Sequence, residues 1–301
     1  MGAEIESTAG TAATITAPDA AFNVFNAMIQ PNIEMEDREG QGAFSHLTAV
    51  PGMQAGTATF QIEVTGDGAG GVPAWASTFL PACGWVESTQ VFSPSSAAPG
   101  SAVKTLTLGL FENGLYKQLH GAVGTFVITM PTARRVLFDF TFQGIYSTPT
   151  DVAIIAPTYP TTPPFVFTAE TLTLASWTPI IEQLTIDAGN EIILREDATK
   201  TSGILTGLIT GRKVTGTMNP EAVLVVANNH VSKWLARTEE ALTVELDNGT
   251  DRVVFAAPKA QRTDVQEGDR NNNQTDEITF QCNRSASAGG DEFTITFAAT
   301  D

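Results

Sequence analysis

Apolar and polar residues alternate along much of the chain, and this alternation predicts β-strands. Residues 56–66 (GTATFQIEVTG) alternate small or apolar side chains with threonine, glutamine and glutamate. Residues 136–144 (VLFDFTFQG) alternate phenylalanine with aspartate, threonine and glutamine. Because successive side chains of a strand point to opposite faces, one set belongs to a core and the other to a polar face. The sequence therefore predicts an all-β protein.

Several of these patterns occur twice, in the same order. The corresponding stretches are residues 106–114 (LTLGLFENG) with 242–249 (LTVELDNG), residues 140–147 (FTFQGIYS) with 278–285 (ITFQCNRS), and Gly56-Thr57 with Gly216-Thr217. The first pair of stretches ends in Asn-Gly, a strong turn signal. We therefore expect two copies of one β-rich unit, although chance similarity between short strand patterns would look the same.

Helix signals are confined to two short segments at equivalent places. Residues 73–80 begin with a proline, which the first turn of a helix tolerates, and end before Pro81. Trp75 and Phe79 lie one helical turn apart in this segment. Residues 229–237 open with an asparagine suited to a helix N-cap. The side chains expected to pack this second helix are Val231, Trp234 and Leu235. The expected fold is two tandem β-sandwich or β-barrel units, each with one flanking helix.

A proline-rich stretch separates the two copies. Residues 156–165 (APTYPTTPPF) contain four prolines, which favour an extended conformation and exclude helix. We therefore divide the chain into a first unit (residues 1–157), a linker (residues 158–164) and a second unit (residues 165–301).

The charge balance is strongly acidic, since 33 acidic residues against 16 basic ones give a formal net charge of −17. Such a chain does not offer the dense lysine and arginine contacts by which proteins grip phosphate backbones, which argues against tight nucleic-acid binding. The same balance suits a surface to which DNA must not adhere. Solubility alone would also account for it.

Candidate chemistry is sparse. The three histidines match no metal-ligand spacing, and no catalytic sequence motif is present. Residues 269–280 begin like a calcium-binding loop but lack its glycine and its final glutamate, so we expect a polar hairpin tip there. Cys83 and Cys282 are expected to be buried free thiols. We expect no enzymatic activity, no metal and no cofactor.

No targeting signal is apparent in the sequence. The first residues, MGAEIESTAG, have neither a basic start nor an apolar run, and nowhere do about 18 apolar residues follow one another. We therefore expect that the chain does not span a membrane and that it is assembled in the cytoplasm.

Five longer stretches follow one another, in order, between residues 50 and 285. They are VPGMQAGTATFQIEVTGDGAGGVPAWASTFLPACGW, GIYSTPTDVAIIAPTYPTTPPF, IDAGNEIILRED, TGTMNPEAVLV and VQEGDRNNNQTDEITFQCNRS. They resemble the tail tube (major tail) proteins of long-tailed bacteriophages and related prophages. The resemblance implies β-sandwich or barrel units with a flanking helix, polymerised into stacked rings around a channel through which the genome passes. It implies no catalytic residues, because the family has none.

The resemblance also implies partners and a location. The chain would bind itself in rings, with a tape measure protein and a tail terminator as further partners, and DNA would pass without specific binding. It would belong to the tail of a virion assembled in the host cytoplasm. Head-to-tail pairing of open sheet edges in a closed ring would remove those edges. With two copies per chain, we expect a trimer with pseudo-sixfold symmetry.

One set of candidate residues concerns stacking of the rings. The family leads us to expect a polar loop that reaches toward the next ring. The polar, glycine-containing segments 34–43 and 196–203 are expected to be mobile on their own. The candidate inter-ring residues are Glu36, Asp37, Arg38, Glu39, Asp197 and Lys200.

A second set of candidate residues concerns the channel. Each lysine or arginine near a phosphate adds binding free energy, so a wall that lets DNA slide should be acidic or neutral. We expect polar strand faces to form this wall, although acidic side chains could instead crowd the outer surface. The candidate lumen residues are Thr59, Gln61, Glu63, Asp139, Thr141, Gln143, Glu277, Thr279 and Gln281.

The alternative function is a two-domain β-sandwich decoration or adhesin module that binds a receptor or carbohydrate. Such a module should carry aromatic residues in its loops. Residues 34–43 and 196–203 contain none.

Overall fold

The computed structural model describes residues 1–40, 42, 44–168 and 171–300, and most of its regular structure is β-strand. In the N-terminal half (residues 1–157) the strands are β1 (Gly2–Ile5), β2 (Val24–Asn32), β3 (Met35–Glu39), β4 (His46–Pro51), β5 (Ala55–Glu63), β6 (Trp85–Ser88), β7 (Val91–Pro94), β8 (Leu106–Glu112), β9 (Leu115–Pro131) and β10 (Leu137–Asp151). In the C-terminal half (residues 165–301) they are β11 (Thr171–Leu174), β12 (Ile181–Asp187), β13 (Asn190–Glu196), β14 (Ile204–Arg212), β15 (Thr215–Pro220), β16 (Glu239–Asp247), β17 (Asp251–Arg270), β18 (Asn273–Cys282) and β19 (Thr294–Ala299). The helices are α1 (Ala74–Ala82) and α2 (His230–Leu235), with a short 3-10 helix at Pro18–Ala20. The predicted all-β class with short helices is confirmed.

Burial along the strands follows the predicted alternation. In β5, Ala58, Phe60 and Ile62 are buried, while the residues between them are only partly covered. The same period of two continues in β10, where Phe138 and Phe140 are buried. One face of each of these strands therefore belongs to the core and the other to a polar surface.

Most strands belong to one antiparallel sheet that runs through both halves of the chain. The order of paired strands is β2-β5-β10-β9-β12-β15-β18-β17-β19-β7-β6. Away from this path, β8 joins β1 to β9, and β16 joins β11 to β17. Two hairpins, β3–β4 and β13–β14, form separate two-stranded sheets. The halves meet where β9 pairs with β12 and again where β19 pairs with β7.

Two long strands change partners part-way along their length, which gives the fold its β-sandwich-like form. The first part of β9 pairs with β8, and its last five residues pair with β12 on the same edge. The first part of β17 pairs with β16, and its last part pairs with β18 on the other edge. Irregularities between Gln143 and Ile145 and between Arg262 and Asp264 interrupt these ladders. Such bulges bend strands and allow one strand to serve two layers.

The hydrophobic core is shared between the halves. Phe79 of α1 lies 5.0 Å from Phe60 and 5.5 Å from Phe140, measured between ring centroids. Trp75 of the same helix contacts Phe297 of β19 edge to face, with centroids 5.8 Å apart. Buried residues from both halves thus form one continuous cluster.

Helix α1 extends past its predicted end. It runs to Ala82 and contains Pro81, where the sequence predicted a stop. Proline removes one N–H, but the chain stays helical because Cys83 N still donates to the carbonyls of Phe79 and Leu80 at 3.2 and 3.0 Å. Burial of Trp75, Phe79 and Leu80 in the core stabilises this turn despite the proline.

Helix α2 has the predicted start but not the predicted packing face. Asn229 caps it, because its side-chain oxygen accepts a hydrogen bond from Ser232 N at 2.8 Å. The prediction that Val231 and Leu235 pack inward is wrong, since both are exposed, and the buried residue of the helix is His230. None of the helices in the described part of the chain is long and apolar enough to cross a membrane.

The sheet register corrects one detail of the repeated pattern. Thr59 lies opposite Thr141 and Thr217 lies opposite Thr279. Gly216-Thr217 thus pairs with Phe280 and Thr279 in the register in which Ala58-Thr59, and not Gly56-Thr57, pairs with Phe142 and Thr141. The two Asn-Gly turns lie where they were predicted, between β8 and β9 and between β16 and β17.

Candidate functional site: a polar sheet face, two hairpin arms and two open edges

The predicted lumen residues lie on one face of the main sheet. Residues directly opposite in an antiparallel pair point to the same face. A row of threonines, connected by such pairs and by alternation along β9, crosses the sheet in the order Thr59, Thr141, Thr125, Thr129, Thr185, Thr217 and Thr279. The other six candidates alternate with buried residues on β5, β10 and β18 and share this face. We call it the polar face.

Part of the polar face was missed at the sequence level. Thr125 and Thr129 on β9, with Thr185 on β12, carry it across the junction of the halves. Their alternation with Phe126, Ile128 and Ile186 is the signal that would have identified them.

Hydrogen bonds tie polar side chains of neighbouring strands together on this face. The Asn26 side-chain amide donates to Gln61 Oε1 at 2.9 Å, and Gln61 Nε2 donates to Asp139 Oδ1 at 2.6 Å. In the C-terminal half, Gln281 Nε2 donates to Asn283 Oδ1 at 3.0 Å, and Asn283 Nδ2 donates to Gln261 Oε1 at 2.9 Å. Side chains held in this way present a polar surface of defined shape.

The polar face carries carboxylates and few cations, and two of its cations, Arg135 and Lys259, are paired with Glu63 and Glu239. Strands β5, β10, β12, β15 and β18 contain no lysine or arginine. Their carboxylates on this face include Glu63, Asp139, Asp187 and Glu277, and Arg135 from the β9–β10 turn pairs with Glu63. This surface would repel phosphate only over about 8 to 10 Å at physiological salt.

The first predicted inter-ring loop is a hairpin arm, so its residues lie on a strand and not in an irregular loop. Glu36, Asp37, Arg38 and Glu39 lie on strand β3, which pairs with β4. Backbone pairing orders this segment although its side chains are polar and exposed. Residues 41 and 43 lie outside the described residues.

The first arm also carries exposed apolar side chains. Phe44, near its tip, is fully exposed, and about half of the surface of Met35, Leu47 and Val50 is exposed. Segment 34–43 lacks aromatic residues, but its immediate neighbour supplies one. The absence of aromatic residues from segment 34–43 is therefore weaker evidence against a binding module than the sequence indicated.

The second predicted loop is the ordered turn of another hairpin. Asp197 and Lys200 lie between β13 and β14, and Asp197 N donates to Gly203 O at 2.9 Å. The backbone N–H and then the hydroxyl of Thr199 donate to the Asp197 carboxylate, at 2.9 and 2.7 Å, which lowers the pKa of that carboxyl group. Such bonds give the turn a defined local conformation.

The two arms lie side by side. Gln54 N, just after β4, donates to Ser202 O in the turn of the second arm at 3.0 Å. A groove of about 720 Å³ lies between them. Residues lining it include Asn32, Glu34, Met35, Met53, Ile193 and Leu194. The structure thus brings both sets of predicted inter-ring residues to one region of the surface.

Two of the open strand edges of the main sheet lie in related positions. Among the described residues, β2 pairs only with β5, and β17 beyond Gln261 pairs only with β18. In the middle of the sheet, the corresponding edges of β9 and β12 are paired with each other. Open edges of this kind are templates for pairing with another chain.

Comparison of the sequence with models of known protein families and with curated proteins gave no match.

Proposed function

We propose that this chain is a structural tail tube protein, built of two tandem copies of one β unit, that polymerises into stacked rings around a DNA-conducting channel. The order of strands supports the duplication. The series β2-β5-β10-β9 of the N-terminal half corresponds to β12-β15-β18-β17 of the C-terminal half. The last strand of each series also pairs with the strand that precedes it in the chain, β9 with β8 and β17 with β16.

One observation carries the proposal: the junction between the halves can be repeated between chains. The last part of β9 pairs with β12, and the equivalent strands at the ends of the series, β17 and β2, have the corresponding edges open. A second chain that pairs its β2 with this β17 would reproduce the junction. Repetition of one heterologous contact closes a ring when the rotation divides the circle evenly.

The register of that contact follows from the register inside the chain. Phe140 corresponds to Ile278 in the repeated stretches, and their partners across the sheet are Phe126 and Val265. The residues that follow these partners, Val127 and Gln266, therefore correspond to each other. On the other side, Asp187 lies opposite Thr215 and Gln30 lies opposite Thr57. Because Thr217 corresponds to Thr59, Thr215 corresponds to Thr57, and Asp187 therefore corresponds to Gln30. Since Asp187 lies opposite Val127 at the junction, we expect Gln30 of one chain to lie opposite Gln266 of the next.

Three chains would supply six units, giving a trimer with pseudo-sixfold symmetry. In such a ring the polar face forms the wall of the channel, and its few cations, such as Arg135 and Lys259, are paired with carboxylates, which leaves few phosphate traps. The hairpin arms reach toward the neighbouring ring. The partners implied are further copies of this chain, a tape measure protein and a tail terminator, in a virion tail assembled in the host cytoplasm.

An engineered cysteine pair tests the proposed ring contact. Gln30 and Gln266 are exposed, and the native Cys83 and Cys282 are buried, so a Gln30→Cys, Gln266→Cys variant introduces the reactive thiols. Mild oxidation should link the chains covalently through disulfides, with trimers as the largest closed species on a non-reducing gel. Electron microscopy of the same sample should show rings or tubes.

A matched control is Gln30→Cys with Glu277→Cys. Glu277 lies opposite Gln266 on the neighbouring strand, is exposed on the same face, and is one strand too distant to reach Gln30. It should give little cross-linking. Persistent monomers at high concentration, without cross-links from either pair, would contradict the tube proposal.

The alternative is a decoration or adhesin module that binds a receptor or carbohydrate. The exposed Phe44 and Leu47 on the first arm favour it, because aromatic and apolar groups at a hairpin tip are suited to binding. A monomer that binds a receptor through this arm would support the module in place of the tube.

A further inference from the structure

The two hairpin arms share one register. The correspondence of Gln30 with Asp187 fixes the match of β3 to β13, and that of Thr57 with Thr215 fixes the match of β4 to β14. Residues matched in this way are also paired alike across each hairpin. These pairs are Met35 with Pro51 and Glu36 with Val50 in the first arm, and Ile192 with Ile209 and Ile193 with Leu208 in the second. Contacts made by one arm therefore predict contacts of the other.

The second arm lies across the N-terminal half of its own chain. Thr206 Oγ1 donates to Gly121 O at 3.3 Å. Gly207 comes so close to β9 that a Cβ placed there would lie 2.7 Å from Val123 Cγ2. Thr206 and Gly207 are both buried. We call the surface around Val123 and Gln143, which lie opposite each other in the sheet, the arm site of the N-terminal half.

The first arm has no such site within its own chain. Every residue of β3 is exposed, and in β4 only Ala49 is partly covered. Ala49 is the residue that matches Gly207 in the shared register. The arm therefore presents to solvent a surface that its copy buries.

The counterpart of the arm site in the C-terminal half is open. Gln143 corresponds to Gln281 in the repeated stretches, and their partners across the sheet are Val123 and Gln261. A cleft of about 470 Å³ lies beside Gln281. We call it the basic cleft; the residues that line it include Arg212, Lys213, Gln281, Asn283 and Arg284.

The charges of the basic cleft and the first arm are complementary. One carboxylate, Glu292, also lines the cleft, and it pairs with Arg212 at 2.7 Å. Lys213 and Arg284 are exposed and leave the cleft positive. The first arm is acidic, because it has a single arginine against four carboxylates, which are Glu34, Glu36, Asp37 and Glu39. Complementary charge of this kind favours one partner over others.

The proposed ring contact brings the first arm of one chain to the basic cleft of another. At the junction within the chain, β12 pairs with the end of β9, and the second arm then continues back along β9, where Ala188 N donates to Phe126 O at 3.0 Å. With Gln30 of one chain opposite Gln266 of the next, the first arm would continue back along β17 toward Gln261 in the same way.

We propose that the basic cleft binds the first hairpin arm of a second copy of this chain, with Ala49 of that arm against Gln261. This inference rests on the proposed function, because it uses the same head-to-tail arrangement, and it adds a second contact to it. Ile193 is 49% exposed on the bound second arm. The matching Glu36 of a bound first arm would also stay exposed and available to the neighbouring ring.

An engineered cysteine pair tests this contact. Ala49→Cys with Gln261→Cys places thiols at the positions that match Gly207 and Val123, which lie against each other at the arm site. Mild oxidation should link chains to one another, as seen on a non-reducing gel. The matched control is Glu36→Cys with Gln261→Cys, which should cross-link at least about tenfold less. Equal cross-linking by the two pairs would overturn the inference.

Charge reversal in the cleft tests the electrostatic part. Lys213→Glu with Arg284→Glu should raise the protein concentration needed for ring formation at least about tenfold, because the new carboxylates repel those of the arm. Both positions are exposed, so the variant should fold, which circular dichroism would verify. The control, Lys104→Glu with Arg237→Glu, makes the same change in net charge outside the cleft and the arms and should assemble like the wild type. Normal assembly of the cleft variant would overturn the basic cleft as the binding surface.

The Gln30–Gln266 cross-link separates this inference from the function on which it rests. If wild-type rings form and that pair cross-links, but the Ala49–Gln261 pair does not, only the arm inference is wrong. If neither pair cross-links and no rings form, the proposed function itself fails.

Discussion

Ile128 of β9 lies directly opposite Ile186 of β12, and this buried pair stands at one of the two places where strands of the two halves pair in one sheet. Backbone pairing and core burial coincide at this point. The two halves are consequently linked by more than the proline-rich stretch between them, and their stabilities should be coupled.

The first prediction concerns this coupling. Ile128→Ala should lower the free energy of unfolding by about 2–5 kcal/mol, because it leaves a cavity in a core shared by both halves. The chain should still unfold in one transition. Tryptophan fluorescence and circular dichroism should give the same, lowered midpoint. The control is Ile154→Ala at an exposed site, which should change stability by less than about 0.5 kcal/mol. Two separate transitions, only one of them shifted, would contradict the coupling.

The second prediction concerns Glu6, a buried carboxylate that accepts four hydrogen bonds. The donors are Gly10 N at 2.8 Å, Thr105 Oγ1 at 2.7 Å, Thr107 Oγ1 at 2.9 Å and Gly121 N at 2.6 Å. Glu6→Ala should destabilise the fold by at least about 3 kcal/mol, because it leaves several buried donors without an acceptor. Chemical denaturation would measure this loss.

A matched comparison for Glu6 is Glu112→Ala. Glu112 is exposed and forms a surface ion pair with Lys117 at 2.6 Å. Its removal should cost at most about 1 kcal/mol. Equal effects of the two substitutions would show that the Glu6 hydrogen bonds contribute little.

The third prediction is a pH dependence of stability. Burial, followed by the nearby Arg262 and Lys233 cations, lowers the pKa of His230 from 6.5 to about 4. The unfolded chain therefore takes up a proton at this residue before the folded chain does. Stability should fall as the pH drops from 6.5 toward 4, by up to about 3 kcal/mol, and this contribution should level off below pH 4.

Thermal unfolding of wild type and His230→Gln across this pH range isolates the contribution of His230. The variant should show a shallower decline between pH 6.5 and 4. His46→Gln at an exposed position is the control and should follow the wild-type curve. Parallel curves for wild type and His230→Gln would show that His230 does not titrate as described.

The fourth prediction concerns the polar face. Thr141→Lys with Thr279→Lys places positive charge in both halves of this face. Assembled variant should retain DNA at low salt, with retention falling steeply as salt is raised, whereas assembled wild type should not retain DNA. Co-sedimentation of DNA with the assemblies measures this. Lysines at Ser88 and Thr250, which are exposed on other parts of the surface, should have a smaller effect.

The fifth prediction concerns the first hairpin arm. Phe44→Ser with Leu47→Ser removes exposed apolar surface from the arm proposed to reach the next ring. Rings should still close, because β2 and β17 are unchanged, but they should stack into shorter tubes or none. Electron microscopy would measure tube length, and tubes of normal length would show that these two side chains do not carry the contact between rings.

Local sequence determined much of the strand structure. Alternation in residues 56–66 and 136–144 located β5 and β10 and separated their buried residues from the polar ones, because the two faces of a strand follow directly from its period of two. Asparagine at position 229 located the start of α2 for an equally local reason, since a cap binds the backbone only three residues away.

Hydrogen bonds and packing that the polarity of a segment does not reveal decided the rest. Residues 34–43 and 196–203 were predicted to be mobile because they are polar, yet pairing with β4 orders β3, and backbone and Thr199 hydrogen bonds fix the turn around Asp197. Val231 and Leu235 were predicted to be buried because they are apolar. The six residues of α2 do not determine which side of the helix packs on β17.

The polar face shows both contributions. The sequence by itself determined which side chains of β5, β10 and β18 point away from the core. Only the tertiary structure decided that those side chains share one surface, because the register between β9 and β12 aligns Thr129 with Thr185 across more than fifty residues of chain. Register depends on the fit of two whole faces to a common core, and no short stretch of sequence contains that information.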